Sequence, residues 1–143
     1  MLLNISQDFS SSKELIDGAV GGPYDLEQRK KYEGISYSGL PISAASLEIY
    51  NLLVLNEEKS NCSIEMRPNG IIMSFRSRKD TYALVIPHHK LRIYKGKAEE
   101  YSFYKDHHFI KIWAGKDESE VHGFIRKVRS SQSDNSPPRI EDL

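Results

Sequence analysis

Two histidine-bearing segments and one cationic turn are where this chain could do chemistry. His88-His89 and Asp106-His107-His108 combine imidazole with carboxylate, a donor set that suits zinc and other transition metals. Adjacent strand residues point to opposite faces, so neither histidine pair can chelate as a pair on a regular strand. A site built from them needs one histidine of each segment together with Asp106. That objection favours the simpler reading of all five as solvated turn and edge residues. Arg76, Arg78 and Lys79 could grip an anion. A charged turn that keeps a sheet edge soluble accounts for them more simply.

Other chemistry is poorly represented. Tyr82, Tyr94, Tyr101, Tyr104 and Trp113 could line a groove, but aromatic residues are ordinary strand formers. There is no glycine-rich phosphate loop, and no serine or cysteine sits in a nucleophile motif. Cys62 is the only cysteine, which excludes an intramolecular disulfide and a cysteine zinc cluster. The expectation is a protein that is not an enzyme and carries no cofactor.

The elements that would position these residues read mainly as strands. Ile64 and Met66 alternate with Ser63, Glu65 and Arg67, the period of a half-buried strand. Pro68-Asn69-Gly70 breaks that run as a tight turn, where Asn and Gly tolerate positive φ. Further strands are expected over 71–77, 81–86, 90–95, 99–104 and 108–114. Thr81–Ile86 is the most apolar and therefore central. Short turns between them dictate antiparallel pairing. The stretch 46–56 is ambiguous. Leu47, Ile49, Leu53 and Leu55 suggest a strand, while Leu47, Tyr50 and Val54 at i, i+3 and i+7 suggest a helix. The strand reading makes 56–61 a turn feeding Cys62 and brings the count to seven.

A helix follows Gly115, with Asp117 and Glu120 as a capping box. Val121, Phe124, Ile125 and Val128 form one apolar face. Phe124 is expected over sheet residues such as Leu84, Ile86 and Ile112, with His122 and Lys127 facing away. Upstream, Ser12 could cap a short helix carrying Leu15, Ile16, Ala19 and Val20, stopped by Gly21-Gly22-Pro23. A second helix fits 24–32, with Gly34 at its exit, and 35–42 reads as loop or short strand. The expected organisation is an N-terminal extension over 1–45, a β domain over 46–130 and a disordered tail over 131–143.

The chain has 143 residues with 20 basic and 20 acidic side chains, enough for one domain with a real core. Overall balance gives no argument for nucleic acid or an acidic membrane. Locally, the stretch from Cys62 to Lys97 holds eight basic residues against Glu65 and Asp80. The start has no signal-peptide pattern, and nothing approaches the roughly 20 apolar residues of a transmembrane helix. With one cysteine, a cytoplasmic setting is expected.

Seven antiparallel strands closed into a roll or barrel by a C-terminal helix resemble the pleckstrin-homology superfold. The resemblance covers about two-thirds of the chain and rests on strand count, the Trp113 strand and the closing helix. Ala83-Leu84-Val85-Ile86-Pro87-His88-His89-Lys90-Leu91 also resembles a segment of uncharacterised bacterial proteins with that fold. The eukaryotic family binds phosphoinositides through a basic first hairpin loop. Here that loop, Asn56-Glu57-Glu58-Lys59-Ser60-Asn61, is acidic, so phosphoinositide binding does not carry over. The expected function is a non-enzymatic binding module that engages protein, including itself. Apolar residues from Leu2 to Val20 exceed what a small capped barrel needs, and would pack on a neighbouring subunit or shield a sheet edge. Two alternatives are a basic surface from Arg67 to Lys97 for anionic lipid or nucleic acid, and a small metal-dependent hydrolase using the histidines.

Overall fold

The computed structural model describes residues 1–6, 9–32, 34–97, 99–115 and 118–134. Three N-terminal elements come first: β1 (Leu2–Asn4), α1 (Phe9–Val20) and α2 (Leu26–Tyr32). They are followed by β2 (Ser36–Ala45), α3 (Leu47–Leu53), β3 (Asn61–Arg67), β4 (Gly70–Ser77) and β5 (Asp80–Pro87). Then come β6 (Arg92–Lys95), β7 (Glu100–Lys105), β8 (His108–Trp113) and α4 (Glu118–Asp134). All eight strands lie in one antiparallel sheet, ordered β1-β5-β4-β3-β2-β8-β7-β6. Among the described residues no helix is long and apolar enough to cross a membrane.

The sheet is open, with β1 and β6 as unpaired edges, and has eight strands rather than seven in a closed barrel. Six expected strands are present. The seventh, 47–55, is α3, and β1 and β2 supply the other two. The sheet bends through β2, which pairs with β3 over its first half and β8 over its second. Register shifts between Tyr37 and Leu40, and again between Ile42 and Ala44, mark β-bulges. Gly39 takes a positive φ of 74° in the first of them, and a bulge bends its strand. Gly39 and Pro41 thus depress the strand signal of 36–45 for the same reason that they allow the bend.

Side-chain alternation divides the interior in two. Ile71, Met73 and Phe75 of β4, with Leu84 and Ile86 of β5, join the main core. Ile72, Ala83 and Val85 point the other way and meet Ile16 and Val20 of α1, with Leu3 and Ile5 packed alongside. This second layer explains the unbroken apolar run of β5, which is covered on both faces although it lies next to the sheet edge. The N-terminal apolar residues therefore shield an edge and a face of this same chain. Arg67 locks α1 in place. It is paired with Glu65, lies 3.0 Å from Asp17 Oδ1 and donates to the Gly21 carbonyl at 2.9 Å.

Gly70 has a different purpose from the expected one. It is absent from the positive-φ residues. A Cβ there would lie 2.3 Å from the Ile86 carbonyl oxygen and 2.5 Å from Val20 Cγ1. Glycine is needed for close approach, not for the turn. Upstream, α1 begins three residues before Ser12, which is buried inside the helix rather than capping it.

Helix α4 lies on the main core with Val121, Phe124, Ile125 and Val128 all buried, as the spacing predicts. Its expected cap, Asp117, lies outside the described residues. The helix continues to Asp134, so 131–134, expected in the tail, are helical; 135–143 lie outside the described residues. His122 does not face away from the sheet. It hydrogen-bonds to the Tyr101 hydroxyl, packs edge-on against that ring, and its Nε2 lies 3.4 Å from Glu99 Oε2.

Candidate functional site

Helix α3 gathers the features with chemical potential, and it forms where a strand was expected. In helical geometry Ile49, Leu52 and Leu53 stand at i, i+3 and i+4, one face. Ile49 is fully buried, and Leu52 and Leu53 pack partly against the core. The other spacing, Leu47, Tyr50 and Val54, lies outward. Leu47 is 72% exposed, Tyr50 53% and Val54 53%, followed by Leu55 at 45%. These residues match a helical period but face solvent, so the strand reading and the helix reading each saw only part of the pattern.

Ser46 fixes the start of α3. It stands at the N-cap position without capping the helix through its side chain. Its Oγ instead accepts from the Phe109 N–H at 3.1 Å, and its N–H donates to the Phe109 carbonyl at 3.0 Å. The far end is held by Ser77 Oγ, which donates to the Leu52 carbonyl at 2.7 Å. Asn56 then donates to the Arg76 carbonyl at 2.8 Å and accepts from the Arg78 N–H at 2.7 Å. The helix is thus pinned to β8 at one end and to the β4–β5 hairpin at the other.

That tether brings Glu48, in the first turn of α3, to the β7–β8 turn. Glu48 Oε1 lies 3.8 Å from His107 Nε2, and Oε2 lies 3.7 Å from His108 Nε2. One ligand atom from each of the three lies within 4.8 Å of the others. The rule that neighbouring strand residues diverge fails here because His107 belongs to a two-residue turn. Asp106, the first turn residue, has φ 55°, and the two imidazole centroids come to 4.2 Å. Glu48 and His107 are exposed, while the His108 side chain is only 10% exposed. Burial pushes the His108 imidazole below its ordinary pKa, helped by the neighbouring His107. Its Nδ1 is buried without a hydrogen-bond partner among the described residues.

The remaining candidates go elsewhere. His88 is buried, with Nε2 3.3 Å from Ser131 Oγ of α4, and its carbonyl accepts from Gln132 at 3.0 Å. Desolvation holds its imidazole below the ordinary value. Asp106 lies 3.3 Å from Lys105 Nζ and 3.6 Å from Lys90 Nζ, and the hydrogen bond from Lys105 lowers its pKa first. His89 borders an open groove of about 530 Å³ with Lys90, Arg92, Tyr94, Tyr104 and Asp106. The five residues therefore do not converge; only His107 and His108 do, on a carboxylate outside the expected set.

Arg76 and Arg78 wall an open cleft of about 760 Å³ together with Glu57 and Glu58, while exposed Lys79 is not among its lining residues. The local carboxylates offset the guanidinium charge, which weakens an anion site. The basic block from Arg67 to Lys97 does not gather either. Arg67 and Lys90 follow one end of the β4–β5 pair, and Arg76, Arg78 and Lys79 sit at the other. At about 3.3 Å per residue the ends of an eight-residue strand lie roughly 25 Å apart. The aromatic residues also separate. Tyr101 is buried, Tyr82 stacks on Phe75, and Tyr94 meets Tyr104 edge-on.

No protein-family model, curated protein or solved structure matches this chain.

Proposed function

We propose that this chain is a non-enzymatic binding module of pleckstrin-homology-like architecture, acting in the cytoplasm, that associates with a second copy of itself through α3. Strands β2 to β8 run as two meanders followed by one helix, which supports the architecture although the sheet is open. A single buried cysteine suits a reducing compartment.

The observation that carries the binding reading is the exposed apolar stripe of Leu47, Tyr50, Val54 and Leu55. Contiguous exposed apolar surface marks interaction sites more often than isolated residues do. A twin copy is favoured by the spacing. Leu47 and Val54 lie equally far from the midpoint between Tyr50 and Asn51. A twofold, antiparallel helix pair therefore sets Leu47 of each copy against Val54 of the other, with both Tyr50 rings at the centre. Such an isologous contact needs a self-complementary patch, and the chain's zero formal net charge puts no net repulsion between copies. Four side chains fall short of the roughly 800 Å² per partner of a standard interface, so the association is weak and concentration-dependent.

Sedimentation equilibrium over a wide concentration range tests this. The wild type should move from monomer towards dimer, and Tyr50→Glu should stay monomeric at every concentration. A wild type that remains strictly monomeric at the highest concentration removes self-association. A dimer undisturbed by Tyr50→Glu moves it away from α3.

A further inference from the structure

We propose that Glu48, His107 and His108 form a binding site for one divalent transition-metal ion of the zinc type, linking α3 to the β7–β8 turn. Nothing in the self-association reading is required for it.

The donor set is two imidazoles and a carboxylate, which suits zinc, nickel and copper rather than magnesium or calcium. With metal–ligand distances of about 2.0–2.2 Å, tetrahedral ligand atoms lie about 3.3–3.6 Å apart. Glu48 already lies 3.8 and 3.7 Å from the two Nε2 atoms. All three ligand atoms lie within 4.8 Å of one another, so small rotations of two exposed side chains close the site. His108 provides the fixed corner. Its side chain is nine-tenths buried, its Nε2 aims at Glu48, and its backbone belongs to a paired strand. His107 and Glu48 complete the set from the solvent side, leaving a fourth position open to water.

Charge also fits. Two neutral imidazoles and one carboxylate bring a single negative charge to the ion. Without an ion, the three groups meet at separations longer than a good hydrogen bond. The buried Nδ1 of His108 lacks an acceptor among the described residues, whereas metal-bound imidazoles usually donate through their second nitrogen, and loss of such a partner weakens binding about 10–100-fold. Affinity should therefore be micromolar, far from that of a closed structural zinc site.

The full chain, made without a histidine tag, is titrated calorimetrically with zinc chloride and melted with and without it. One saturable equivalent is expected, together with a higher melting temperature, because an ion that binds only the folded state stabilises it. His107→Ala and Glu48→Ala, both at exposed positions, should weaken binding at least tenfold and erase the thermal shift. His89→Ala should change neither. In the wild type, zinc should shift the imidazole resonances of His107 and His108 and leave those of His88 and His89 in place, a readout that needs no variant. Absence of saturable binding, undiminished binding by His107→Ala, or shifts confined to His88 and His89 overturns the proposal.

Discussion

Truncation of Phe124 tests the closing role of α4. The ring is 6% exposed and packs against Tyr37 with centroids 5.9 Å apart. Phe→Ala in a core costs about 3–5 kcal/mol, part of it from the closed cavity left behind. Phe124, however, borders an open surface hollow with Gly34, Ser36, Tyr37 and Lys127. The void left by truncation would open to water, so the cavity contribution shrinks and the loss should lie near about 3 kcal/mol. For a domain of this size, that corresponds to a melting temperature lower by roughly 10 °C. Thermal melts by circular dichroism and urea titrations measure both quantities. Arg126, exposed on the same helix, is the reference, and Arg126→Ala should stay within about 0.5 kcal/mol of wild type. His122→Ala is not neutral, because it removes the hydrogen bond between the Tyr101 hydroxyl and the imidazole; about 1 kcal/mol is expected. If Phe124→Ala were as stable as Arg126→Ala, α4 would not be a core element and the reasoning from its apolar face would fail.

Three further outcomes follow from packing and titration. Gly70→Ala forces a methyl against a backbone carbonyl that cannot move alone, and should destabilise by at least about 1–3 kcal/mol in urea; an unchanged midpoint contradicts the close approach of β4, β5 and α1. Burial pushes the Cys62 thiol up to about 12, so Ellman's reagent should leave the native protein unmodified and titrate one thiol in guanidinium; fast native labelling refutes its burial. The His88 imidazole is held below its ordinary value in the folded chain, so the unfolded chain takes up the proton first. Its contribution is therefore full above about pH 6.5 and is lost as pH falls through the window below. His88→Gln should flatten the decline in stability as pH falls below about 6.5; an identical decline refutes the assignment.

Much of the fold is legible in the sequence wherever period and turn agree. The strands over 62–113 follow from alternation and short turns, and the α4 face follows from the spacing of Val121, Phe124, Ile125 and Val128. The misses share one physical cause, tertiary structure overriding local propensity. Residues 36–45 contain Gly39 and Pro41, poor strand formers, yet they form a central strand because the sheet needs a bulged, bending member there. Residues 47–53 alternate like a strand, yet become a helix because Ile49, Leu52 and Leu53 can face the core together. That miss hid Glu48, and with it the one carboxylate that meets His107 and His108. The helical spacing of Leu47, Tyr50 and Val54 was the signal that could have found it. The histidine pairing itself depends on the turn in which Asp106 takes a positive φ, a conformation that Asp tolerates but that does not by itself say which carboxylate the imidazoles meet.

The central claim, that copies of this chain meet through the outward stripe of α3, is tested most directly by two-dimensional NMR of the labelled protein at rising concentration. Amide shifts should move with concentration at Leu47, Tyr50, Val54, Leu55 and their immediate neighbours, and remain still in the β6 edge and α1. A spectrum independent of concentration, or shifts centred on the β6 edge instead, would contradict the account.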